Sequence, residues 1–217
     1  VLLTGCRSGE VIAALWRDVS WFNAHRPRPW APGMLDLSRG RFDGADLSDA
    51  RLSACRLTET DLSRATLSST RFEGCDLREA RFSGGELVGT GFGDTNLDGA
   101  WLVNATLRGV TISGSSLQAA HFEHAVIERC SVAASGARHA SFSSATLRAM
   151  RFNRVDLSRA RFRGASFDSV RFSESGVEGA DLAGSLGAPV LDRTHGHTTG
   201  ALATSLEREP LNRSVAA

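Results

Sequence analysis

From Leu37 to Leu182 an apolar residue recurs at every fifth position, thirty times without an insertion or deletion. The row opens Leu37, Phe42, Leu47, Leu52, Leu57, Leu62 and closes Phe162, Phe167, Phe172, Val177, Leu182; Ala137 is its only member smaller than valine. A period of five matches neither a helix of ~3.6 residues per turn nor a strand of period ~2, so the chain must turn a corner in every repeat. Two residues before each central position the side chain is small, as at Gly40, Ala45, Ala50, Thr60, Ala65, Thr70 and Ala80, with Met150 the bulkiest exception. These small residues read as a second inward position near the corners of a narrow tube. The pattern predicts an all-β solenoid in which neighbouring repeats bury one another.

The aromatic residues say how many sides the tube has. Ten of the eleven phenylalanines are central residues, Phe22 being the other. In steps of twenty, one column reads Phe42, Leu62, Phe82, Leu102, Phe122, Phe142, Phe162, Leu182. The column two pentads away reads Leu52, Phe72, Phe92, Ile112, Val132, Phe152, Phe172, and the two between are aliphatic except for Phe167. Rings on alternate columns fit a four-sided coil of twenty residues, two opposed faces supplying rings and the other pair filling with leucine. About seven and a half coils at the ~4.8 Å strand spacing make a rod of roughly 35 Å. Cys55, Cys75 and Cys130 fall on the small inward position. The first two would stack one coil apart as free thiols, because parallel Cβ vectors do not converge as a disulfide requires.

Both ends of a solenoid need covers. In residues 8–22, Ser8 can cap a helix along which Val11, Ile12, Leu15, Trp16, Val19 and Phe22 recur at helical spacing, and HRPRPWAPG breaks it. Residues 1–34 are thus an N-terminal capping helix with a proline-rich lead-in, and residues 35–184 the repeat array. Residues 185–217 are expected as loop, because the period fails at Gly187, followed by a short helical or disordered tail around Leu202 and Leu206.

The repeats A-D-L-S-D, T-D-L-S-R, C-D-L-R-E, A-R-F-S-G, T-N-L-D-G and A-D-L-A-G resemble the pentapeptide-repeat family pattern A-(D/N)-L-x-x over residues 35–184. The resemblance implies a right-handed quadrilateral β-helix with four pentads per coil. It also implies a non-catalytic binding role. Well-characterised stand-alone members resemble B-form duplex, bind DNA gyrase or topoisomerase IV and protect it from poisons such as quinolones, and often pair through a C-terminal module. A homodimer through a terminal coil is a corresponding expectation.

Composition narrows the chemistry. All 25 basic residues are arginine, so a Schiff-base lysine and a phosphate-loop lysine are both absent. GGELVGTGFG carries its glycines at corners, with no GK[ST] after it. His121 and His124 flank a core phenylalanine, and HGH at 195–197 would bind metal only adventitiously. No catalytic triad, carboxylate pair or zinc spacing stands out, so no enzyme, cofactor or metal site is predicted. No apolar run approaches the ~20 residues that span a bilayer, and the first ten residues lack a secretory h-region, so a soluble cytoplasmic protein is expected.

The outward positions carry the candidate interaction surface. Residues 73–98 form an acidic waist (Glu73, Asp76, Glu79, Glu86, Asp94, Asp98), and residues 148–172 a basic far end that includes Arg148, Arg151, Arg161 and Arg171. Arg151 and Arg171 are one coil apart, an unfavourable stack for which arginine-rich solvation is the commoner explanation and a partner the other. Trp101, beside Val103, either covers the sheet against Arg81 or His121 or forms an interface hot spot. Two functions follow: a DNA-shaped rod that binds and protects a type II topoisomerase, and a scaffold or sensor domain of a larger signalling or defence protein. Direct nucleic-acid or membrane binding is not expected from 25 basic against 24 acidic residues.

Overall fold

The computed structural model describes residues 8–25 and 35–199. From residue 36 to 186 the paired residues are twenty apart: Leu52 with Phe72, Phe72 with Phe92, Leu87 with Leu107. The pairings are parallel, so four pentads close one coil and the coils stack into a four-sided tube. We name the faces by their first central residues: Leu37, Phe42, Leu47 and Leu52. The Leu52 face is a continuous eight-stranded sheet from Arg51–Ser53 to Val190–Asp192, and the Leu47 face a five-stranded one from Glu86–Val88 to Ser166–Asp168. Single bridges between turns join the coils on the Leu37 and Phe42 faces.

The corner lies two residues after each central one. There φ is positive in every pentad from Arg39 to Gly184, at 58° for Arg39, 71° for Gly44 and 54° for Ala119. The Gly40 N–H donates to the Leu37 carbonyl at 2.9 Å, and Ala50 to Leu47 at 3.0 Å, closing type II β-turns. The acid or amide before the central residue tightens the turn. Asp36 Oδ1 accepts from the Ser38 N–H and Asp46 Oδ1 from the Ser48 N–H, both at 3.0 Å, and Asp61, Asn96, Asp156 and Asp181 do the same. These Asx turns are the physical content of the D/N in the repeat.

On the Leu52 face a side chain takes over from the missing turn bond. The N–H groups of Thr95, Ser115 and Val155 donate to the hydroxyls of Ser115, Ser135 and Ser175 one coil on, each at 3.1 Å. Ser115, Ser135 and Ser175 then donate to the carbonyls of Ser113, Ala133 and Ser173. On the Leu47 face Cys130 Sγ serves the Val110 N–H likewise at 3.3 Å. The small inward residues are therefore more than fillers, since they satisfy amides that would otherwise be buried without partners.

Inside, the rings stack in columns and meet edge to face across the tube. Phe122, Phe142 and Phe162 stack at 4.7 and 5.0 Å, Phe72 and Phe92 at 5.1 Å, and Phe82 abuts both of the latter at 6.3 and 6.0 Å. The smallest central residue, Ala137, and the bulkiest inward one, Met150, line the same apolar void of about 10 Å³. The two exceptions to the pattern thus border the same space.

Both ends differ from the expectation. The N-terminal helix is two helices, α1 (Ser8–Arg17) and α2 (Val19–His25). They are separated at Asp18, whose Oδ1 accepts from the Trp21 N–H at 3.0 Å and starts α2. Val11, Leu15 and Phe22 are buried, and Ile12 lies 3.4 Å from where a Cβ on Gly40 would be. Asn23 then imitates a strand: its Nδ2 donates to the Asp49 carbonyl at 2.8 Å and its Oδ1 accepts from the Arg51 N–H at 2.9 Å. At the other end, residues 186–199 continue the coil instead of forming a loop. Leu186 bridges Ser166, Val190–Asp192 pairs with Arg171–Ser173, and Thr198–Thr199 with Ala180–Asp181. The spacing drops from twenty residues to nineteen at Val190 and eighteen at Thr198. Backbone pairing survives these deletions although the apolar period does not. The helical or disordered tail expected around Leu202 and Leu206 lies outside the described residues.

Candidate interaction surface

The predicted surface residues do not share a face. Trp101, Val103 and Arg161 lie on the Phe42 face, Glu86 and Arg148 on the Leu47 face, Glu73, Arg151 and Arg171 on the Leu52 face, and Asp76 on the Leu37 face. The acidic waist and basic end are real along the chain, but folding in pentads deals consecutive charges to different sides.

Pairing neutralises much of what remains. Asp76 holds Arg78 through Oδ1–Nε at 2.9 Å and Oδ2–NH2 at 2.7 Å, and this bond keeps its carboxyl below the usual range. Glu128 sits between Arg108 and Arg148, at 3.3 Å from each. Glu174 takes Arg154 at 2.9 Å. Arg151 and Arg171 do stack on the Leu52 face, as do Arg51 and Arg71. Arg71 folds flat over Gly91 and donates to the Gly89 carbonyl at 2.6 Å, and Glu73 lies over Gly93 in the same way. Glycine on this face makes room for long side chains leaning from the coil below.

Trp101 is 43 % exposed and stacks on His121, ring centroids 4.0 Å apart and planes within 11°. His121 Nδ1 lies 3.3 Å from Glu123 Oε1, which fixes the imidazole laterally. Of the two partners considered for the tryptophan, His121 is the one whose ring stacks on it. Val103 is half-buried, and Val88 on the Leu47 face, 40 % exposed, is a second outward apolar residue of the array. His124 occupies a left-handed corner. His195 lies over Gly176, where a Cβ would come within 3.0 Å of its Nε2, and the His197 N–H donates to Glu178 at 3.0 Å. Sequence reasoning missed the Trp101–His121–Glu123 group as a unit. The twenty-residue spacing of Trp101 and His121 was the available signal.

Among the described residues, no group of three or more His, Cys, Asp or Glu side chains is arranged to hold a metal, and no helix is long and apolar enough to cross a membrane. Cys55, Cys75 and Cys130 are buried thiols that form no disulfide among the described residues. Hydrogen bonding from the Cys55 thiol holds Cys75 below its ordinary value, whereas burial pushes Cys130 up to about 11.

Among solved structures, similar ones include full-length QnrB1, a plasmid-mediated fluoroquinolone resistance protein, at 22% identity over 75% of this chain and 89% of that one, TM-score 0.43. HetL from the cyanobacterium Nostoc sp., a pentapeptide repeat protein involved in heterocyst differentiation regulation, is 21% identical over 74% and 86%, TM-score 0.28. A thylakoid-lumen pentapeptide repeat protein of Arabidopsis thaliana is 22% identical over 71% and 72%, TM-score 0.27. No protein of curated function matches the chain. Residues 36–84, 92–129 and 140–175 match the pentapeptide-repeat model in eight copies. With turns, Asx closures and twenty-residue register that give each position of that repeat its role, the chain belongs to the pentapeptide-repeat family.

Proposed function

We propose that the protein is a non-catalytic rod that binds other proteins through its outer ladders. The observation that carries this reading is the division of labour within each pentad. The central and small residues fill the tube, so that recognition is left to rows of outward side chains on four flat faces. Trp101, rigidly stacked and partly exposed, is the kind of anchor that protein interfaces use.

A type II topoisomerase as partner is the finer form of this reading. Rod length favours it, since the array's roughly 35 Å is close to one duplex turn. Charge favours the scaffold form. The face richest in acids, Leu37, interleaves Asp36, Glu59, Asp76, Glu79, Asp98, Asp156 and Glu178 with Arg39, Arg56, Arg78, Arg138 and Arg159. Imitation of a phosphate backbone needs an unbroken anionic row. Binding is tested by placing a photo-crosslinking residue singly at Thr106, Thr111, Ser116 and His121, one per face of consecutive pentads, in cells that make the protein. Crosslinks to another protein from one or two adjacent faces are expected, and none from any face would refute the reading. Gyrase supercoiling with and without a quinolone separates the two forms: protection at stoichiometric protein selects topoisomerase binding, and no effect selects the scaffold.

A further inference from the structure

The outermost row of the Phe42 face reads Arg41, Asp61, Arg81, Trp101, His121, Ser141, Arg161, Asp181, and each member bridges the next. Read backwards, this row sets opposite charges against each other toward its ends and like charges nowhere. Two copies laid antiparallel, related by a two-fold axis between Trp101 and His121, place Arg41 against the second copy's Asp181 and Asp61 against its Arg161. Arg81 lies over the buried Ser141, and Trp101 meets His121. Every contact occurs twice, as a two-fold interface demands.

The flanking rows obey the same axis. Along the next row Asp43 faces Ala183, Ser63 faces Arg163, Ser83 faces Ser143 and Val103 faces Glu123, so no like charges meet. Along one corner Glu59 faces Arg159, and along the other Arg64 faces Gly164 and Asn104 faces His124. Sliding the two copies by one coil destroys the match, setting Arg41 against Arg161 or Asp61 against Asp181. Two of the other faces put like charges together when reversed in this way. The Leu52 face would oppose Arg51 to Arg171 and Arg71 to Arg151, and the Leu37 face Arg78 to Arg138.

We propose that the Phe42 face is a homodimer interface in which two rods lie side by side and antiparallel, with the Trp101–His121 stacks at its centre. The occupant is a second copy of this chain, selected by charge complementarity in a single register. The proposal goes beyond the partner-binding reading and stands whether or not another protein is bound, because the other three faces stay free. Seven coil spacings make the row ~34 Å long. A strip of that size is small for a specific interface, so association in the micromolar range is expected.

The test is a pair of charge reversals followed by mixing, read by sedimentation velocity between ~1 and ~200 µM. Arg161→Glu sets Glu against Asp61 twice, and Asp61→Arg sets Arg against Arg161 twice. Each variant alone is expected to self-associate at least ~10-fold more weakly than the parent chain. An equimolar mixture restores both pairs in a heterodimer and is expected to associate as the parent does. Circular dichroism checks that each variant is folded. Arg161 is exposed with no ion pair in its own chain among the described residues, so Arg161→Glu serves alone if Asp61→Arg does not fold. A parent chain monomeric at ~200 µM overturns the proposal. So does a dimer indifferent to Arg161→Glu, which would place the contact at a terminal coil instead.

Discussion

Replacing Ala119 by glycine should stabilise this protein, although the same change in a helix or strand costs ~0.5–1 kcal/mol. Ala119 is exposed and turns a corner at φ 54°, and the same corner one coil below is held by Gly99 at 66°. A residue with a Cβ in the left-handed region carries ~1–2 kcal/mol of strain from its contact with the following carbonyl. Glycine removes that strain but gains ~0.5–1 kcal/mol of freedom in the unfolded chain. The difference is a net gain of ~0.5–1 kcal/mol, or roughly 2–4 °C in Tm at most for a domain of this size. Ala134 and Ala149, at 48° and 50°, sit on other corners of the tube, so the triple Ala→Gly variant should gain ~1.5–3 kcal/mol additively. Guanidinium unfolding followed by circular dichroism measures this against Ala160→Gly, a buried inward position that should lose ~1 kcal/mol. If Ala119→Gly falls in step with Ala160→Gly, the corners are unstrained and the account of the pentad turn is wrong.

Three further outcomes follow from the ends and the core. Ala137→Leu should overpack the tube and cost ~1–3 kcal/mol, whereas Ala137→Leu with Met150→Ala should return within ~1 kcal/mol of the parent; additive losses in a double-mutant cycle would show that the two do not share a space. Asn23→Ala removes both bonds to the first strand's open edge and should speed hydrogen exchange of the Arg51 amide at least ~5-fold with little change in global stability; unchanged exchange would mean Asn23 does not cap that edge. Because burial raises Cys130 from 9.0 to about 11, the unfolded chain loses that proton first and stability should fall as pH rises between those values. With no lysine or tyrosine to titrate there, Cys130→Ala should flatten much of the decline, and an unaltered slope would remove Cys130 as its cause.

The tube was legible because its register and its sequence period are the same quantity. A parallel stack of twenty-residue coils forces Phe122, Phe142 and Phe162 into one column, and the spacing of phenylalanines alone carries that geometry. The second inward position was legible only in size. That Ser115 and Ser135 are hydroxyls, where alanine would fill the space equally well, becomes intelligible once the unpaired corner amides are seen. The last coil hid for the opposite reason. Its pairing is made by backbone, which has no residue preference, and shortening by one residue erased the apolar period. Gly187 marks the place: φ is 74° there, and a Cβ would collide with the Phe167 carbonyl. The glycine that looked like the end of the array is a condition for its continuing.

The candidate surface residues scatter over four faces because charge was counted along the chain. On a four-sided solenoid, residues five apart diverge by a corner and residues twenty apart touch, so an acidic run of two dozen residues is wrapped around the rod rather than presented to a partner. The rows are the relevant units. Read as rows, Arg151 and Arg171 remain a like-charged stack, while Arg41, Asp61 and Arg81 become an alternating ladder in which each charge supports the next at strand spacing. Within the chain, Asp61 and Asp181 already close Asx turns and Asp181 also pairs with Arg163, so the repeat accounts for both acids. It does not dictate that arginine precede Asp181 and follow Asp61 in the order that sets opposite charges together when the row is reversed, and that order is what the proposed two-fold pairing uses.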